Sequence, residues 1–185
     1  MIPKSCKRLA EVDFPIAEVS KRAAQEKSIR LGRPSTLHLW WARRPPASCR
    51  AVLLGLLLPD PCDSLCPGDF KAKARQIPSG LCQGAADASD ADLQHRLLKL
   101  FTDFADGELA ANQSYLEPAR ALVKAADHEE TVLVVDPFAG GGSIPLEVLR
   151  LGCEAFASDL NPVACLILKM MLGMGRLMAV SERAK

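Results

Sequence analysis

The sequence predicts an α/β chain in which an N-terminal helical region is followed by the start of a parallel sheet. Three observations predict it. Apolar residues recur at helical spacing through much of the first 130 residues. A strand, a glycine turn, a helix and a second strand follow one another in TVLVVDPFAGGGSIPLEVLRLGCEAFASDLNP, from Thr131 to Pro162. An acidic residue, Asp159, closes that second strand. The composition fits a folded chain, with 185 residues of which 49% are hydrophobic.

Charge is segregated under a net value of +1. Residues 1–60 carry 11 basic and 5 acidic side chains, whereas residues 61–130 carry 7 and 12. The front of the chain is thus the part suited to a polyanion. Seven cysteines, an odd count at irregular spacing with no signal-peptide pattern, are expected to be reduced thiols in a cytoplasmic protein. Cys62 and Cys66 have three residues between them, with only Cys82 nearby and no close histidine, so no metal site is expected. The longest apolar run, Ala51 to Leu58, is too short to span a bilayer, and no membrane association is expected.

Taken in order, Ile16, Val19, Ala23 and Ala24 mark an exposed amphipathic helix that ends before Gly32 and Pro34. Next comes PSTLHLWWARRPPASCRAVLLGLLL, with a second helix expected from Ala47 to Leu58. His38, Trp40, Trp41, Arg43 and Arg44 read equally as core aromatics with ion-paired neighbours, or as phosphate ligands beside a base-stacking surface. Arg30, Arg33 and Arg50 add to the basic count and favour the second reading. Residues 59–91, rich in proline and glycine, are expected to be a long surface loop. Ser89 and Asp92 then form a capping pair for a helix whose face carries Leu93, Leu97, Leu98, Phe101 and Phe104. A further helix spans Leu116 to Ala126, and His128, Glu129 and Glu130 form the polar entry to the first strand. The expected organisation is a basic helical region 1–58, a loop 59–91, a helical segment 92–130 and the βαβ part 131–185.

The first strand, Thr131 to Val135, is β-branched and expected to be buried, with Asp136 at its carboxyl end. Gly140, Gly141 and Gly142 allow positive φ and close approach of a ligand to the backbone. Ser143 is expected to cap the next helix, with Pro145 in its first turn and Gly152 at its C-cap. The second strand runs from Glu154 to Ser158, and Asp159 lies 19 residues after Gly140. An acid at about that distance, roughly 20 residues, accepts hydrogen bonds from ribose hydroxyls in adenosine-cofactor βαβ units. Asn161 and Pro162 open an apolar, hence buried, helix reaching about Met174, after which a short polar tail is expected. The loop is no dinucleotide fingerprint, because GxGxxP replaces GxGxxG, and no Walker motif exists in the chain.

DPFAGGGS followed by DLNP resembles the first two cofactor motifs of S-adenosylmethionine-dependent DNA amino-methyltransferases. RLAEVDFPIAEVS and EKSIRLGRPSTLHLWWARRPPASCRAVL, taken with it, resemble large prokaryotic adenine-specific DNA methylases that carry an N-terminal domain of unknown function with an HLWWARRP signature. The resemblance covers roughly residues 8–58 and 131–168. It implies a Rossmann-like class I methyltransferase sheet that binds S-adenosylmethionine. Asp136, Phe138, Gly140, Gly142, Asp159 and Asn161 would line the cofactor, with Phe138 as an apolar wall and Asp159 on the ribose. It also implies DNA as a partner, for which the polyanion reading of the basic front offers Arg30, Arg33, Trp40, Trp41, Arg43 and Arg44 as candidate contacts.

The family's Asp/Asn-Pro-Pro-Tyr/Phe motif, which holds the target amine, is absent: Asp60-Pro61-Cys62 and Asn161-Pro162-Val163 both lack the second proline and the ring. The chain is therefore expected to be inactive alone and to be the N-terminal portion of a longer enzyme, with the catalytic half on a missing segment or partner chain. The alternative is a non-catalytic nucleic-acid-binding module with a residual cofactor loop.

Overall fold

A computed structural model describes residues 2–3, 5–28, 46–77, 88–105, 113–126 and 131–183. In chain order these form α1 (Leu9–Val12), α2 (Ile16–Ser28), α3 (Pro46–Leu57), α4 (Gly68–Gln76), α5 (Asp90–Phe104) and α6 (Gln113–Ala126). Then follow β1 (Leu133–Asp136), α7 (Ser143–Arg150), β2 (Glu154–Ala157) and α8 (Pro162–Arg183). The architecture is mixed α/β, mostly helical, with a two-stranded parallel sheet pairing Leu133 with Glu154 and Asp136 with Ala157.

The core lies among the helices. Leu54 of α3, Phe101 and Phe104 of α5, and Ala119 and Leu122 of α6 are buried together with Val148 and Leu151 around α7. Helix α3 is central, packing on α1, α2, α5, α6 and α7. That position buries Ala51, Leu53 and Leu54, while Val52 and Leu56 remain exposed on its outer side. Gly55 lets it approach the N-terminus closely, since a Cβ there would meet the Phe14 ring at 3.1 Å. The capping box expected of α5 is present: the Ser89 hydroxyl accepts from the Asp92 N–H at 3.1 Å, and the Ser89 N–H donates to the Asp92 carboxylate at 3.2 Å.

Several expectations are corrected. Residues 59–77 are not loop throughout, for they contain α4, which buries Phe70 and Ala74 one turn apart. Polar side chains order the stretch before it. Asp60, itself buried, accepts from the Cys62 N–H and from Gln94 on α5, and Asp63 accepts from the Lys7 and Leu65 amides. Lys71 and Arg75 of α4 both pair with Asp90 at the start of α5. Residues 78–87 of the expected loop lie outside the described residues.

Strand β1 is not buried on both sides. Leu133 and Val135, with Phe156 beside them on β2, are exposed, whereas Val134 and Ala155 face the core. A β-branched run shows that a strand forms; it does not show that both faces are covered. Helix α8 likewise continues to Arg183 rather than giving way to a tail after Met174. It is not buried either, since only Ala164 and Leu168 of its first turns are covered while Val163, Leu166 and Met170 face outward. Helix α2 forms where expected, but of its apolar set only Val19 is buried, while Ile16 and Ala24 are exposed.

Cys6, Cys66 and Cys153 are buried thiols. Burial, followed by the proximity of Cys6, pushes Cys66 up to about 12, which keeps it protonated and inert. Among the described residues no helix is long and apolar enough to cross a membrane.

Candidate functional site

The site is built at the carboxyl ends of β1 and β2, where ligands of open parallel sheets bind. Asp136 ends β1 and turns the chain: its carboxylate accepts from the Phe138 N–H at 3.2 Å, an Asx turn. The two strand ends are then laced together. Ser158 donates its N–H to the Asp136 carbonyl at 3.0 Å, and the Ala139 N–H donates to the Ser158 carbonyl at 3.0 Å.

The glycine loop needs its glycines at two positions. Gly140 and Gly142 have φ of 50° and 78°, in the left-handed region where a Cβ is costly. Gly142, not Ser143, is the N-cap of α7, and Ser143 begins the helix instead. The reason is geometric. The left-handed turn delivers the chain straight into α7, and a Cβ on Gly142 would lie 3.1 Å from the Leu168 side chain of α8. Gly152, with φ 83°, takes the expected place just past the other end of α7.

Asp159 reaches back across the 19-residue interval, and its carboxylate accepts from the Gly140 N–H at 2.9 Å. The other oxygen accepts from the Asn161 N–H, also at 2.9 Å. These amides, that of Asn161 first and that of Gly140 next, hold the carboxyl below its ordinary value. Asn161 in turn uses its side-chain oxygen to cap α8, accepting from the Val163 N–H at 2.9 Å. Phe138 projects from the turn with 76% of its surface exposed.

Asp136, Phe138, Gly140, Gly142, Asp159 and Asn161 are thus brought to one place. Asp159 and Asn161 are also structural there, as a loop tie and a helix cap. Arg30, Arg33, Trp40, Trp41, Arg43 and Arg44 lie outside the described residues, as does His38. Arg50, counted with them as a surface cation, is instead a core residue only 1% exposed.

One side chain of consequence escaped sequence reading. Glu147 on α7 is fully buried. Its carboxylate meets the Arg50 Nε of α3 at 2.5 Å and the Arg150 guanidinium at 3.2 Å. A signal existed: Glu147 shares a helix face with Ile144, Val148 and Leu151, where a carboxylate requires a cation. Its main partner, 97 residues away, was not readable.

The sequence model of a family described as "Protein of unknown function (DUF1156)" matches residues 13–78, which span α2 to α4. No curated protein matches the chain. Nor does any solved structure.

Proposed function

We propose that residues 131–168 form the S-adenosylmethionine half-site of an adenine-specific DNA methyltransferase, and that the chain does not transfer a methyl group by itself. The observation that carries this reading is the convergence of Asp136, Gly140, Gly142 and Asp159 at the ends of two paired parallel strands.

The residues present fit such a cofactor. Two left-handed glycines bend the loop, and at half-buried Gly140 and Gly141 no Cβ stands between the backbone and a ligand. Asp159 carries one amide on each oxygen, and each oxygen retains a second lone pair for a sugar hydroxyl. Phe138 offers an apolar ring beside the loop. When bound, S-adenosylmethionine supplies an electrophilic methyl group on a sulfonium, and transfer to an amine gains chiefly from alignment of the two reactants. The contribution of these residues is to hold and orient. The Asp/Asn-Pro-Pro-Tyr/Phe residues that would accept hydrogen bonds from the target amine are absent from the 185-residue sequence.

Calorimetric titration of the folded chain with S-adenosylmethionine tests the reading. Saturable binding, with no heat from NAD at equal concentration, is expected. Absence of binding in protein shown by circular dichroism to be folded overturns it. Incorporation of labelled methyl into DNA by the purified chain overturns the second clause.

A second reading, a nucleic-acid-binding module without cofactor affinity, is favoured by one observation. The 11 basic side chains of residues 1–60 outnumber the 5 acidic ones. A salt-dependent DNA mobility shift lost in R43A/R44A, with no binding of S-adenosylmethionine, is its signature.

A further inference from the structure

Helix α7 carries the glycine loop at its amino end and is gripped by arginines from two other helices. Arg120 of α6 donates from Nε to the Arg150 carbonyl at 2.7 Å, satisfying an end carbonyl of α7. Arg50 of α3 pairs with Glu147 inside the core, where the two side chains are 1% and 0% exposed. The Arg50 guanidinium also lies 5.6 Å from the centroid of the Phe104 ring on α5.

A pair this deep is a poor source of stability. Removing both charges from water costs about what their attraction returns, and well-packed apolar side chains of similar volume often serve as well or better. What an ion pair adds is direction: a guanidinium and a carboxylate meet in few geometries, whereas two apolar surfaces can slide. The position of this pair makes direction consequential. Glu147 follows Gly142 by little more than one helical turn, so the axial setting of α7 sets where the loop amides fall. Those amides have fixed targets, with Ala139 on the Ser158 carbonyl, Gly140 on Asp159 and Gly142 on the Ala139 carbonyl.

We propose that Arg50 is a positioning residue for the glycine loop, acting through Glu147, so that the 13–78 segment completes the cofactor half-site rather than forming a separate module. The proposal rests on the reading of that loop as a cofactor loop, but its first readout does not need the cofactor.

Hydrogen exchange of the peptide covering Phe138 to Ile144 is measured in the whole chain, in R50M and in the double variant R50M/E147L. Exchange at least about tenfold faster than in the parent is expected in R50M, because the buried carboxylate, left with only the Arg150 guanidinium of its own helix, loses its tie to α3 and pulls α7 out of register. The double variant carries the test if R50M does not fold. Its melting temperature returns to that of the parent while loop exchange stays fast, and S-adenosylmethionine affinity falls with it.

Parent-like loop exchange in either variant overturns the proposal, since any filling of the site would then hold the loop. A double variant that fails to regain the parent melting temperature also overturns it, because the pair would then supply stability instead of position. If the parent binds no S-adenosylmethionine, the cofactor reading fails, while the exchange rates still decide whether Arg50 positions the loop.

Discussion

The helices around α3 and the layer formed by β1, β2 and α8 are built from similarly apolar sequence, yet they are covered very differently. In the first region Leu9, Leu54, Leu58, Phe101 and Phe104 have no exposed surface. In the second, Leu133, Val135, Phe156, Val163, Leu166 and Met170 each expose more than half of theirs. Apolar composition thus measures the capacity to be buried, and neighbours decide whether that capacity is used. The consequence is an uneven distribution of stability. The helical core should open only with global unfolding, while the sheet and α8 hold through one covered face and the lacing at the strand ends.

Two phenylalanine truncations place the largest strain on this comparison. Phe104 packs edge-on against Tyr115, with ring centroids 6.1 Å apart, and beneath the Arg50 guanidinium. Phe104→Ala is expected to cost about 3–5 kcal/mol. Phe156→Ala, at a position 56% exposed, is expected to stay within about 0.5 kcal/mol. Urea denaturation of both variants checks the contrast. Equal losses would show that the sheet face is covered in solution.

How far the sequence revealed this division depends on the range of each interaction. Local signals were legible. The Ser89 to Asp92 box, the Asn161 cap and Gly152 past α7 all involve groups within a few residues, and each lies where its spacing puts it. The convergence of Asp136, Gly140, Gly142 and Asp159 was legible for a related reason, since a βαβ unit fixes the distance from first loop to second strand end. Helix α4 was not. It buries only Phe70 and Ala74 among Lys71, Lys73 and Arg75, too sparse a pattern to stand out between prolines. Arg50 was misread as surface because arginine is rarely buried and its partner is remote in sequence. Coverage of the second strand face is likewise a property of neighbours.

A smaller effect tests whether the strand-end lacing belongs to the global fold or to the weakly covered region. Gly142→Ala places a Cβ at φ 78° and 3.1 Å from the Leu168 side chain. The left-handed conformation alone costs an L-residue about 1–2 kcal/mol. If the loop unfolds with the core, the urea midpoint falls accordingly. If the region opens on its own, the global midpoint holds and only the exchange of loop and α8 amides quickens. The extensive packing of α7 on α3 favours the first outcome.

The smallest effect isolates a single side chain in the lacing. Asp159 is held below the ordinary carboxylate value of 3.8 by amides it accepts from, Asn161 first and Gly140 second. A carboxyl whose folded pKa is depressed contributes stability above its unfolded value and loses it as pH falls through the folded one. The tie between the two strand ends should therefore be complete at neutral pH and persist below pH 3.8, failing only as the carboxyl takes up a proton. In amide NMR spectra the Gly140 and Asn161 resonances should titrate together with one midpoint below that value, and Asp159→Asn should remove the shared transition. Independent titration of the two amides would mean that Asp159 does not bridge them, and the glycine loop would then depend on α7 and the Ala139–Ser158 hydrogen bond for its position.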